Sequence, residues 1–444
     1  MSKLEATLRG LVEPSSVVVS SGEDLAGKVE AAIAREDKRC KEKQQVPLRR
    51  KPRLGPLSSK EGHVELAPLS VIHALGRAIS LDRQGAARGL AEHWGCLKYL
   101  WALDAREVSG QISLSGEGRS IQQQYKRLQS EELGVGFGLA VVERLLRDLY
   151  PDHSVSVVPA ELALRVGWIR TKLKYRPRFF AEVWRPGEEA RVFPVFCKGH
   201  HGRRSGSYPQ LASASAHVEA VHVGPWNQTP ALVLSTELSA KGPVVVHALH
   251  DDGDGGVLPE REGKLDTSLQ DLSRPPHITR PAEGNKPEST MTGIHVLPRH
   301  SGWFRHVLAR MDAAGLMAFT GDGEGIARYL TKRQGKKYYE KPGHAAVGTL
   351  QNVGHELLGT RFEGTDHVFR IGGDRIEAFS GLSAEFFELV KSGCLREYRE
   401  KVGAGLPRRP HVAWDEFWGG PVSVRPDGSV LAIRGLPTKK KCSC

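Results

Sequence analysis

Two apolar runs joined by a Pro186-Gly187 turn constrain this chain more than any other stretch. Residues 178–184 and 191–197 read as the two strands of an antiparallel hairpin, because strand side chains alternate between faces and Pro-Gly is turn chemistry. Pro177 precedes the first strand, and Lys198-Gly199 closes the second before a glycine turn. Residues 178, 180, 182 and 184 share one face of the first strand, and Phe196 and Lys198 share a face of the second. Glu182 and Lys198 are therefore expected to point into one cleft where the sheet opens.

The flanks extend the hairpin into an α/β unit. Residues 129–134 open a helix, with Ser130 as its cap and Glu131 and Glu132 suited to the dipole in the first turn. Val135, Leu139, Val142 and Leu146 form its buried stripe, and Tyr150-Pro151 ends it. Residues 154–158 read as a strand, whereas 162–168 fit strand or helix equally. Pro209 starts a second helix through Val223, and 231–235 and 244–248 read as further strands. The order is helix, three strands, helix, two strands.

Outside this unit the pattern divides the chain. Residues 1–62 read as a mobile basic arm, since nine Lys/Arg fall between Arg35 and Arg53 and Pro47 and Pro52 forbid a continuous helix there. Residues 63–129 read as a helical segment in which His73 and His93 are packed or surface side chains rather than ligands. Residues 130–256 form the α/β core, 257–292 a linker rich in Pro, Glu, Arg and Ser, and 293–444 a separate α+β module. The glycines at 321–325 fit neither phosphate-loop signature, and residues 251–256 lack the acid spacing of a calcium loop.

Charge narrows the function classes. The formal net charge of the 444 residues is +12, which favours a polyanionic partner. Arg165, Arg170, Lys172, Lys174, Arg176 and Arg178 form a run without an acid, and Arg203 and Arg204 follow Lys198 closely. Such a cluster can neutralise several phosphates, though a solvated basic hairpin has the same composition. The six cysteines are scattered without a Cys-x-x-Cys pair, which argues against a zinc framework or disulfides. No run approaches the roughly 18 apolar residues of a membrane span, and residues 1–20 lack a signal-peptide pattern, so no membrane partner and a cytoplasmic location are expected.

The element order, Pro177 before the second strand and Lys198-Gly199 closing the third together resemble the PD-(D/E)xK superfamily of restriction-endonuclease-like nucleases over residues 130–250. The resemblance implies a mixed sheet flanked by helices. It also implies a Mg²⁺-dependent DNA endonuclease in which Glu132 (or Glu131) and Glu182 hold the metal, Lys198 steers the attacking water and Gln210 orients the site. The family places an acid where this chain has Arg178 and another where it has Phe196. A non-catalytic DNA- or RNA-binding protein on the same core is the alternative, and an interaction scaffold of unrelated function is a third.

Overall fold

The computed structural model describes residues 2–43, 54–57, 62–81, 92–108, 110–166, 175–224, 229–260, 277–280, 289–339, 353–371, 373–405 and 411–436. The predicted hairpin is present: Phe179–Trp184 pairs antiparallel with Ala190–His201, with Phe179 opposite Val195 and Val183 opposite Arg191. Gly187 turns the chain at a φ of 79°, which a residue without a Cβ adopts at little cost. Ser154–Pro159 adds antiparallel to the first strand, and Ala231–Leu238 adds parallel to the second. The sheet continues through Val245–Asp251, Ser16–Ser20, Gln111–Leu114 and Leu103–Val108, with three short strands beside it. The chain is thus a mixed α/β protein built on a mixed sheet.

Consecutive residues of Phe179–Trp184 and Ala231–Leu238 are buried, so both faces of the sheet need a cover. Helices Pro68–Ile79 and Gln123–Leu149 cover one face, where Leu75, Leu139 and Val142 join Phe179, Ala181 and Val195 in one core. Helices Glu23–Glu42 and Ser207–Glu219 cover part of the other, packing around Val233 and Leu249. Ser301–Phe319 and Ala384–Ser392 cover the rest around Phe180, Trp184 and Val192.

Several expected boundaries give way. Residues 1–62 are not a mobile arm as a whole: Ser16–Ser20 lies inside the sheet, parallel to Val245–Asp251, and Glu23–Glu42 packs on the helix Ser207–Glu219. Val17, Val18 and Val19 carry the strand signal, and the charge of the neighbouring segment masks it. The basic residues 44–53 lie outside the described residues. The segment 63–129 is helical only in part, because Leu103–Val108 and Gln111–Leu114 are paired strands. The helix expected from Gln129 starts at Gln123, so Ser130 sits inside it and donates to the Arg127 carbonyl at 2.9 Å. Val257–Leu258 pairs with the hairpin strand, and His277–Arg280 pairs with Ser289–Thr292; the other linker positions 261–276 and 281–288 lie outside the described residues.

Residues 293–444 are not a separate module. They contribute Ser301–Phe319 to the shared core and form a second, six-stranded antiparallel sheet whose Ile376, Ala378, Leu431 and Ile433 pack into the first core cluster. Buried ion pairs tie the halves together: Arg77 contacts Asp312 and Asp427 at 3.3 Å each, and Arg425 meets Glu143.

His73 and His93 are packed groups. His73 contacts the Ser423 hydroxyl at 3.1 Å, and His93 Nε2 lies 2.8 Å from the Ser380 hydroxyl beside Trp94 and Phe319. Burial holds His93 down at about 3 and keeps His73 well below its usual value. Both groups therefore bind protons more readily in the unfolded chain. Their stabilising effect is complete above the unfolded value near 6.5 and is lost progressively as the pH falls below it toward the folded value. At pH 5 the His93 contribution amounts to a loss of about 2 kcal/mol. Urea unfolding at pH 7.5 and 5 should show that loss, and His93→Gln should remove about that much of the pH dependence. An identical pH dependence in the variant counts against this account.

Candidate nucleic-acid interface

The strand Ala190–His201 outruns its hairpin partner. Pairing with Phe179–Trp184 stops at Val195, while pairing with Ala231–Leu238 continues to His201. Lys198 therefore lies inside a strand rather than at its end, and Gly199 is a strand residue rather than a turn.

Glycine decides what stands beside that strand end. A Cβ on Gly134 would fall 2.3 Å from the Gly199 nitrogen, one on Gly199 2.3 Å from the Ser130 carbonyl oxygen, and one on Gly138 2.8 Å from Cys197 Sγ. The helix Gln123–Leu149 thus seats backbone to backbone on the strand. Its first turns, with Gln123, Lys126, Arg127, Ser130 and Glu131, are carried to the place where Lys198 emerges. These residues, with Lys198, Gly199, His200, His201 and Gln210, line a groove of about 340 Å³.

Gln210 enters from the first turn of Ser207–Glu219. It donates to the Gly199 carbonyl at 3.2 Å and accepts from the Ser235 hydroxyl at 2.8 Å, which ties the helix start to the strand end. His200 Nε2 lies 2.8 Å from the Ser207 hydroxyl, whose oxygen lies 3.1 Å from the Ser235 hydroxyl. Burial pulls His200 below its ordinary value, with Glu237 opposing, and burial and Lys126 pull His201 down in the same sense. The permanent charge of the groove therefore comes from Lys126, Arg127 and Lys198. Against these three cations stands one carboxylate, Glu131, 3.4 Å from Arg127, leaving a net +2.

The expected catalytic set is only partly brought together. Lys198 and Gln210 share the groove; Glu132 and Glu182 are elsewhere. Glu132 turns to the far side of its helix, where it meets Lys98 at 2.5 Å and accepts from the Tyr99 hydroxyl at 2.5 Å. Glu131 is the glutamate of that helix turn that faces the groove. Glu182 lies opposite Val192, six residues along the strand from Lys198 and so about 20 Å away. Alternation does put both on one face, but at opposite ends of the hairpin. Glu182 is buried against Arg399, 3.3 Å from its Nη1, and 4.0 Å from Arg305. Glu132 and Glu182 also lie on opposite faces of the sheet, so they do not form one two-carboxylate site for Mg²⁺.

The outer basic residues differ in what they can offer. Arg165 and Arg176 both pair with Glu161, which halves their joint charge. Arg178 Nη1 donates to the Cys197 carbonyl at 3.4 Å, beside Lys198. Arg204 pairs with Asp24 at 3.5 Å, and Arg203 is exposed at the strand end. Arg170, Lys172 and Lys174 lie outside the described residues. Gln123, Lys126 and Arg127 escaped the sequence reading because it began the helix at Gln129. The run of helix formers at 122–127 was the available signal.

No protein-family model matches the chain, and no curated protein or solved structure matches it either. Among the described residues, no helix is long and apolar enough to cross a membrane.

Proposed function

We propose that the protein binds nucleic acid, with duplex DNA as the expected ligand, through the groove at the end of the strand Ala190–His201. The observation that carries this reading is the gathering of Lys126, Arg127 and Lys198 around one strand end with a single carboxylate among them. Three cations held by two different layers present a fixed set of phosphate contacts, whereas a merely solvated basic face would leave them apart. The order of helix Gln123–Leu149, three antiparallel strands, helix Ser207–Glu219 and a parallel strand supports a restriction-endonuclease-like core.

Phosphodiester hydrolysis on such a core needs carboxylates to hold a divalent metal beside the lysine. Arg178 and Phe196 stand where those acids belong, and Arg178 places a cation there instead. Binding without cleavage is the reading that fits these groups. The endonuclease alternative retains Lys198, Gln210 and Glu131, and a cleavage assay separates the two.

Fluorescence anisotropy with labelled duplex DNA, single-stranded DNA and RNA tests the proposal. Affinity should fall linearly with salt on logarithmic axes. Lys198→Ala, Lys126→Ala and Arg127→Ala should each make the slope shallower by about one. Plasmid incubated with Mg²⁺ or Mn²⁺ should stay intact. Absence of binding at low salt, or binding unchanged in the triple variant, would sink the proposal. Metal-dependent cleavage abolished by Lys198→Ala would replace it with the endonuclease reading.

A further inference from the structure

The outer face of the six-stranded sheet carries a group of donors that the groove does not use. His355, Asp366 and Glu377 stand on three successive strands, Val353–Leu357, Thr360–Ile371 and Asp374–Ser383, and one donor atom of each lies within 4.8 Å of the others. Pairing aligns their faces: His355 is opposite Phe362, Asp366 opposite Phe379, and Glu377 opposite Val368. Phe362 and Phe379 belong with Leu357, Trp418 and Val422 to the small apolar cluster of this face, so the polar group rests on an apolar base.

The donors are held in place. His355 Nε2 lies 3.1 and 3.3 Å from the two Asp366 oxygens, and its ring stands edge-on to Phe379 and Trp418 at 4.7 and 4.9 Å. Glu377 is buried and accepts from Arg434 Nε at 2.6 Å through Oε2, while the Arg434 guanidinium lies 3.9 Å over the Trp418 ring. Arg434 is thus a positioning residue that holds the Glu377 carboxylate in place. Two carboxylates against one guanidinium leave the cluster at −1 with a neutral imidazole.

We infer that His355, Asp366 and Glu377 form a binding site for a borderline divalent cation of the Zn²⁺ class, which fastens three strands of the second sheet. An imidazole nitrogen with two carboxylates suits such an ion better than Mg²⁺, which prefers an all-oxygen octahedral shell. Ligand atoms about 2.0–2.2 Å from one tetrahedral ion lie about 3.3–3.6 Å apart, so donor atoms that now lie within 4.8 Å of one another close by up to about 1.5 Å on binding.

The full-length protein, stripped with chelator, is titrated calorimetrically with ZnCl₂ and separately with MgCl₂. Asp366→Asn and Glu377→Gln keep side-chain shape and guard against misfolding, and His355→Ala removes the nitrogen donor. The wild type should bind one more Zn²⁺ per chain than each variant. Mg²⁺ should bind more weakly by on the order of 100-fold. Zn²⁺ should also raise the melting temperature of the wild type and leave that of Asp366→Asn unmoved. Equal stoichiometry and equal melting shift in wild type and Asp366→Asn, or no saturable Zn²⁺ binding in the wild type, overturns the inference. DNA binding through the groove should be the same in all four proteins, so this test stands apart from the groove reading.

Discussion

Glu182→Ala should lower the unfolding free energy by about 3–5 kcal/mol, because removing one partner of a buried ion pair leaves the other charge uncompensated. Glu182 is 1 % exposed, and it neutralises Arg399 and Arg305, whose side chains are 14 % and 12 % exposed. Burial already pulls the Arg305 guanidinium below its ordinary value, with Glu182 opposing, so loss of the carboxylate removes its main compensation. Arg399 lies 4.3 Å over the Trp184 ring, which keeps it in place when its counter-charge is gone. Guanidinium chloride unfolding measures the loss, and a change below about 1 kcal/mol contradicts the assignment. The double variant Glu182→Leu with Arg399→Leu should recover much of the stability, since an apolar pair carries no desolvation cost. A metal ligand would behave in the opposite way. Its removal would relieve repulsion or leave stability unchanged while abolishing a metal-dependent activity.

Gly134→Ala should be the other severe change, and its sign is informative. In an exposed helix the same substitution is stabilising by up to ~1 kcal/mol, because alanine restricts the unfolded chain. Here the new methyl would lie 2.3 Å from the Gly199 nitrogen and 2.7 Å from the Lys198 carbonyl carbon, both backbone atoms that no rotamer can move. The helix must lift off the strand, at a cost of about 3 kcal/mol or more. Gly27→Ala, in the helix Glu23–Glu42 where nothing lies within 4 Å of the added Cβ, is the matched control and should stabilise. If both substitutions raise the thermal midpoint, the close seating is wrong. If Gly134→Ala folds at low temperature, its groove is misassembled and DNA affinity should fall with stability.

The short apolar runs at 178–184 and 191–197 and the Pro186-Gly187 turn made the hairpin legible, since strand composition and turn chemistry are properties of a few neighbouring residues. The stripe from Val135 to Leu146 did the same for the helix that covers it. Lys198 and Gln210 could be placed together because a short connection joins the strand that carries Lys198 to the helix whose first turn carries Gln210. Val17, Val18 and Val19 did not reveal the strand at 16–20, because a three-residue apolar run beside a basic segment cannot say which strand it will join. Its partner is Val245–Asp251, more than two hundred residues away along the chain.

What the sequence determined by itself is the mixed α/β class, the central hairpin and the lysine at its open end. Only the tertiary structure decided that Glu182 belongs to Arg399, 217 residues distant, and that Glu131 rather than Glu132 faces Lys198. It also gathered Lys126 and Arg127 to that lysine through the contact of Gly134 with Gly199. The physical reason is the range of the interactions. Apolar periodicity and turn preference act over a few residues and leave a signature in each segment. The partner of a buried charge, and the glycine on which another backbone will rest, are set by close packing between segments that nothing local connects.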